Sequence, residues 1–357
     1  MADLMSGSSA YEALATKYKD FLVPAFKIKV RGKDIVSALS LAVESLSVSL
    51  SLDAANACSF TIVNAYDRAS GSFSAELKSE LMLGTVLTVE VGYGSSLTMV
   101  FKGYVTELSY EFRDYPVLSV SAMDVRRLMM DGQARMIIHS VQSYSQAFSE
   151  VMQRYQKICT NLVIDQTDKK LPNITQRNSD YEFVSKELCS KADREFFVLA
   201  DKAYFRIPQK VEDPLTTLEW GKGLLSFSRN AMYHNAAIKV FGYDEMNKNV
   251  LVEEVSSKSD DKQEDAVSEA QTTIYTQPDA QDIDQVKKRA ENEKTKKKQK
   301  TQGGSGSCIG LPEVVPGRFI ELKKLDSDLD NKYYIKSVNH TIGSDGFSSK
   351  FNIGGWK

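Results

Sequence analysis

Three histidines, His139, His234 and His340, and four cysteines, Cys58, Cys159, Cys189 and Cys308, bound the nucleophilic and metal chemistry open to this sequence. No histidine has a metal-ligating neighbour at i+2, i+3 or i+4, and no two cysteines form a CxxC pair, so neither a zinc site nor a disulfide framework is signalled. A Cys–His nucleophilic pair needs only to meet in space, so spacing leaves it open, although no cysteine carries a local nucleophile signature. His340, phased with Tyr334, Lys336 and Val338, and His139, next to Ile137 and Ile138, both read as structural. Gly92-Tyr-Gly94 and Gly221-Lys-Gly223 lack the strand-to-helix context of a phosphate loop and read as turns. The Lys-rich stretch supplies Lys287, Lys288, Lys296, Lys297 and Lys298, which suit either contact with an acidic or phosphate-bearing partner or a solvated helix. Trp356, after Gly354-Gly355, is either a partner anchor or folds back on its own hairpin. Asn173-Ile-Thr175 and Asn339-His-Thr341 match the glycosylation sequon by chance if no secretory signal precedes them. The inventory leads to the expectation of no catalytic residue, no cofactor and no metal.

The whole chain carries 45 Lys+Arg and 47 Asp+Glu in 357 residues, a net charge of −2. No long-range field draws it to nucleic acid or an anionic surface, so direct nucleic-acid recognition is not expected. The length suits two or three domains with self-sufficient cores. The first residues lack a basic segment followed by an apolar one, and no run approaches 18 apolar residues, so neither Sec export nor a membrane span is expected. The cysteine usage points to a reducing cytoplasm as the compartment of synthesis.

The elements that would position these residues follow from periodicity. Tyr11, Leu14, Ala15, Tyr18, Phe21 and Leu22 recur at helical spacing up to Pro24, which predicts an N-terminal amphipathic helix within residues 1–23. Over 24–135 the runs Phe26–Val30, Val43–Leu52, Cys58–Val63, Val86–Tyr93 and Leu118–Met123 alternate apolar with polar, the signature of half-buried strands. Two longer runs around Arg113-Asp114-Tyr115-Pro116 predict a hairpin. Residues 136–215 read as an α+β module, with a helix capped by Ser143, another capped by Ser179 or Asp180, and strands at Glu195–Leu199 and Ala203–Ile207. Strand pattern over 216–255 and 307–357 predicts a second β-barrel-like domain. The intervening 256–306, acidic at Asp260, Asp261, Glu264 and Asp265 and then Lys-rich, reads as a charged, partly helical, mobile insertion ending in the linker Gly303-Gly304-Ser305-Gly306. The fold class is therefore β-rich α+β: two β-barrel-like domains flanking a small α+β module, with a charged low-complexity helical or disordered insertion.

Four stretches in this order carry a family resemblance: FKGYVTELSYEF (Phe101–Phe112), LSVSAMDVRRLMM (Leu118–Met130) with a strand running into a helix through Asp124, the helix and hairpin of Asn178–Pro208, and the C-terminal LPEVVPGRFIELKKL with YYIKSVNHTIGSDGFSSKFNI. Together they resemble the phage late control gene D family, the baseplate hub proteins of contractile tails and contractile injection systems, and are similar to the hub portion of type VI secretion spike proteins. The resemblance implies a homotrimer whose two β-domains per subunit alternate around an axis, giving the pseudo-sixfold symmetry on which an inner tail tube starts, with a central spike protein below and other baseplate proteins around it. It implies a non-enzymatic structural role in the tail baseplate of a phage or phage-tail-like particle. No glycine-periodic β-helix or cell-wall hydrolase is seen within the chain, so the spike is expected to be a separate protein. Two other readings stay open: a tail-associated peptidoglycan hydrolase using Cys159 or Cys189 with a histidine, and a receptor- or glycan-binding tail-tip protein.

Overall fold

The structure is a computed structural model that describes residues 4, 7–167, 174–258, 264, 271–277 and 280–356. It is β-rich with few helices, and it divides into two compact units, Met1–Ser226 with Gly306–Phe351 and Phe227–Ser305 with Asn352–Lys357.

In the first unit the helix α1 (Tyr11–Lys17) ends well before Pro24, because Lys19, Asp20 and Phe21 all take positive φ. The predicted helical stripe is thus cut short: Phe21 reaches Tyr11 and Tyr93 through this left-handed turn, while Leu22 is 77 % exposed. The alternating runs then form β1 (Pro24–Val30), β2 (Val43–Ser51), β3 (Ala57–Ile62), β4 (Val86–Tyr93), β5 (Ser96–Phe112) and β6 (Pro116–Met123). They pair antiparallel in the order β1-β4-β5-β6-β3-β2. Leu46, Val48, Leu50, Phe60, Ile62, Leu87, Val89 and Val91, the alternate positions, are buried, as period-2 patterning requires. The β5–β6 hairpin closes with Phe112 opposite Pro116, at the expected turn.

The ladder does not stop at β2. The long strand β17 (Asn331–Gly343) pairs through Asn331–Tyr334 with β16 (Phe319–Lys323) and through Ser337–Ile342 with β2. One strand therefore joins the two runs, and the β-regions read as two barrel-like domains share one continuous ladder. Beyond β16 the order runs through β10 (Pro214–Trp220), β11 (Gly223–Ala231), β15 (Gln302–Ile309) and β18 (Gly346–Trp356), and β18 returns to β17. These six strands close a barrel. The unit boundary falls within β11, β15 and β18.

The segment Gly303-Gly304-Ser305-Gly306, expected to be a flexible linker, lies inside β15. Gly306 in this segment, and Gly310 just after the strand, have a packing reason. A Cβ on Gly306 would come within 2.4 Å of Phe351 Cζ, and one on Gly310 within 2.0 Å of Phe347 Cγ. Aromatic rings from β18 thus press close against bare backbone, a role that composition cannot distinguish from looseness. Replacing Gly310 by Ala should cost about 1–3 kcal/mol by overpacking. An unchanged denaturation midpoint would contradict this packing.

The α+β module has a core of its own. Helices α2 (Val125–Asp131), α3 (Tyr144–Met152) and the helical stretch 180–192 (α4), with a π-helical turn over Phe183–Leu188, pack Val125, Met129, Phe148, Val151, Phe183, Val184 and Leu188 together. Strands β7 (Asn161–Ile164), β8 (Glu195–Leu199) and β9 (Lys202–Arg206) add Phe196, Val198 and Phe205. Asp124, Ser143 and Ser179 cap the three helices, accepting from the backbone N–H groups of Arg126, Gln146 and Glu182.

In the second unit, β12 (Asn235–Asp244) and β13 (Asn249–Lys258) do not join the barrel as expected. With β14 (Gln271–Thr276) they form a separate sheet in the order β13-β12-β14. The helix α5 (Ile283–Thr301) covers one face, seating Val286 and Ala290 on Ile238 and Val240. Part of the charged insertion is therefore a packed element, held by a few small apolar residues in an otherwise polar helix. Asp260, Asp261 and Asp265 lie outside the described residues. Gly242 sits under α5, where a Cβ would meet Val286 and the Ala280 carbonyl.

Candidate interaction surfaces

Among the residues expected to meet a partner, Lys287 and Lys288 are exposed on the first half of α5. Lys296 and Lys297 follow nine residues on, about 14 Å along the axis at 1.5 Å per residue. Lys296 Nζ is 2.6 Å from Glu293 Oε1, and Lys297 Nζ donates to Thr273 Oγ1 at 2.8 Å. These two are engaged with their own fold, and the structure spreads the lysines along a helix instead of converging them. The side chains of Lys298 and Trp356 lie outside the described residues, as does Asn173 of the first sequon.

An aromatic cluster that the sequence reading did not single out stands at the tip of the β5–β6 hairpin. Alternation places Tyr110 and Phe112 on one side of β5, and the short hairpin strands Tyr66–Asp67 and Ser72–Phe73 bring up two further rings. Tyr66 meets Phe112 at 5.4 Å and Phe73 meets Tyr110 at 4.9 Å, both edge-to-face. Phe112 nevertheless stays 66 % exposed, with Tyr110 and Tyr115 about half exposed beside it. Rings that brace one another yet face solvent make a pre-ordered candidate surface. The signal available in sequence was the three aromatics crowded into Tyr110–Tyr115 around a turn. A second apolar surface lies in the other unit, on the face of the β13-β12-β14 sheet opposite α5, where Val250, Val252, Ile274 and Tyr243 are exposed.

The candidate reactive groups are held in structural settings. Cys58, Cys159, Cys189 and Cys308 are all buried. Burial pushes the Cys159 thiol up to about 12, and its Sγ donates to the Asp201 carbonyl at 3.4 Å, which disfavours a thiolate. His139 is buried between Glu150 Oε2 (2.8 Å from Nδ1) and Gln176 Oε1 (3.1 Å from Nε2), with its ring stacked on Phe183. Gln176 in turn donates to Asp180 Oδ1 at 2.7 Å. Burial raises the Asp180 carboxyl, but hydrogen bonds from Tyr155, Gln176 and Arg154 outweigh it and hold the group below the usual range. His234 Nε2 is 3.0 Å from Ser257 Oγ, and burial together with Lys297 lowers its affinity for a proton. Among the described residues no cluster of three or more His, Cys, Asp or Glu could hold a metal, and no helix is long and apolar enough to cross a membrane.

Comparison with known proteins adds a sequence match and a set of fold matches. The sequence model of the Alg8 N-terminal domain matches residues 21–344, and no curated protein matches the chain. The fold is similar to that of a tail protein from Neisseria meningitidis MC58, with a TM-score of 0.70 at 10 % identity over 94 % of this chain and 97 % of that one. It is also similar to the 43 kDa tail protein of prophage MuSo2 from Shewanella oneidensis, with a TM-score of 0.69 at 12 % identity over 92 % and 98 % of the two chains. A third likeness is to the E. coli c3393 protein, a type VI secretion component that itself resembles the T4 bacteriophage tail proteins gp27 and gp5; the TM-score is 0.57 at 12 % identity, over 92 % of this chain and 76 % of that one.

Proposed function

We propose that this chain, which belongs to the Alg8 N-terminal domain family, is a structural, non-enzymatic baseplate hub of a contractile tail or contractile injection system. In this reading three copies form a ring, hold a separate central spike protein on one face and start the inner tail tube on the other. The observation that carries the reading is the near-complete mutual coverage with two tail proteins, which leaves little of this chain or of theirs outside the common fold. The resemblance to the late control gene D family supports the same role, as does a six-stranded run continuing into a six-stranded barrel, which suits two β-barrel-like domains per subunit in a pseudo-sixfold ring. Permanent interfaces of this kind bury roughly 2,000–5,000 Å² each. The aromatic tip, the apolar face of the second sheet, Trp356 and the α5 lysines are the surfaces offered to neighbouring subunits, the tube, the spike and other baseplate proteins.

Native mass, measured for the chain alone and with a candidate spike protein, tests the proposal. A mass of three times 39.8 kDa, or a complex of three chains with three spikes, is the expected result. A persistent monomer indifferent to the spike would sink it. The second reading, glycan or receptor binding, is favoured by the exposed rings of Tyr110, Phe112 and Tyr115. A glycan affinity abolished by Phe112→Ala would make it the better one. Lysis of cell-wall sacculi that is lost on Cys159→Ala or Cys189→Ala would overturn the non-enzymatic assignment.

A further inference from the structure

Three adjacent strands of the first unit bring cations together over one recess. Lys29 of β1 lies opposite Thr88 of β4, and Thr88 lies opposite Lys102 of β5. Two strand spacings separate the lysines by about 10 Å at the backbone, so two long side chains on one face of the sheet can turn toward the space above Thr88. Arg31, just past the end of β1, and Thr85, just before β4, complete the wall of a cavity of about 330 Å³.

The charges in this recess do not balance. Lys29 Nζ is 2.5 Å from Glu90 Oε1, and Arg31 Nη1 is 3.2 Å from Glu80 Oε2. Lys102, half-buried, has no hydrogen-bond or ion-pair partner among the described residues. Three cations thus face two carboxylates. Those carboxylates steady Lys29 and Arg31 while leaving most of their donors unused, since an ammonium has three and a guanidinium five. Convergence of like charges in a concavity raises the local potential, and a bound anion relieves it. The Thr85 and Thr88 hydroxyls add neutral donors of the kind that complete an oxyanion shell.

We propose that this recess binds an oxyanion of the phosphate class, free or as a phosphate ester, with Lys102 as the principal charge and Lys29, Arg31, Thr85 and Thr88 around it. This site is independent of the hub assignment and of the α5 lysines.

Calorimetric titration of the full chain with inorganic phosphate and, separately, with glycerol phosphate, at fixed ionic strength, tests it. Saturable binding is expected, weakened about tenfold by Lys102→Gln, the effect of losing one charged hydrogen bond. Thr88→Val should weaken it less, and Lys78→Gln, an exposed lysine outside the recess, should leave it unchanged. Tighter binding of glycerol phosphate would assign the site to a phosphate ester and tighter inorganic phosphate to the free anion. Absence of saturable binding would overturn the proposal, as would an affinity that Lys102→Gln leaves within twofold or that Lys78→Gln lowers equally.

Discussion

Asp124→Ala is expected to destabilise the first unit by about 3–5 kcal/mol, the cost of leaving a buried charge without its partner. Asp124 and Arg126 are both fully buried. The carboxylate accepts from Arg126 Nε at 3.0 Å and from the Asn56 backbone N–H at 3.0 Å, while its other oxygen caps α2. Arg126 in turn donates to the Ser51 and Leu52 carbonyls and to Asn56 Oδ1, and Asn56 Nδ2 donates to the Val198 carbonyl of β8 at 2.7 Å. The cluster therefore ties the β2–β3 turn, the start of α2 and the α+β module into one piece. Removing the carboxylate strands the guanidinium and also uncaps α2. Asp124→Asn keeps the cap and loses the charge, so it should fall between wild type and Ala. The double variant Asp124→Ala/Arg126→Met should be less destabilised than the sum of the single ones, since no charge is then left alone. Denaturant midpoints of wild type, Asp124→Ala, Asp124→Asn, Arg126→Met and the double variant measure this, and an Asp124→Ala effect below about 0.5 kcal/mol, the usual range for featureless surface positions, would contradict it.

A second large effect is expected from acid. His340 is buried in β17, its Nδ1 2.8 Å from Ser349 Oγ, and burial lowers its pKa from 6.5 to about 4. The unfolded chain therefore takes up a proton before the folded one does. The contribution of the neutral ring to stability is complete above pH 6.5 and is lost as pH falls toward 4, by about 3 kcal/mol in all. Carboxylates held below their usual range, Asp165 and Asp180 among them, lose their contribution only at lower pH. Chemical denaturation of wild type and His340→Gln at pH 7, 6 and 5 isolates the histidine: stability of the wild type should fall over this interval while that of the variant stays nearly level. Parallel slopes in the two proteins would remove His340 as the cause.

The phasing of His340 with Tyr334, Lys336 and Val338 along a strand gives it a structural reading, and the strand running into a helix through Asp124 is one of the motifs that carry the family resemblance. Both assignments rest on local features, the period of two and the capping preference, which act over a few residues and are written into the chain directly. The same holds for the β5–β6 hairpin and for the caps at Ser143 and Ser179. Sheet membership was a different matter. Periodicity marks β12 and β13 as strands as clearly as it marks β11, yet the first two form their own sheet under α5 and β11 helps to close the barrel. Which edge a strand joins depends on partners distant in sequence, and a two-residue repeat is the same for every partner.

The glycines of β15 show the limit most directly. Gly303-Gly304-Ser305-Gly306 after a lysine-rich stretch has the composition of a linker, and only the position of Phe351 makes the bare backbone at Gly306 necessary. The cationic recess and the aromatic tip have the same character. Lys29 and Lys102 are 73 residues apart in sequence, and Tyr66 reaches Phe112 only because a second hairpin folds against the first. What the sequence determined alone was the inventory of chemistry, the strand and helix segments and their order, because those follow from residue type and short-range spacing. What the tertiary structure decided was which strands share a sheet, which glycines are packed and where charges and rings converge, because each depends on long-range pairing that no local pattern encodes.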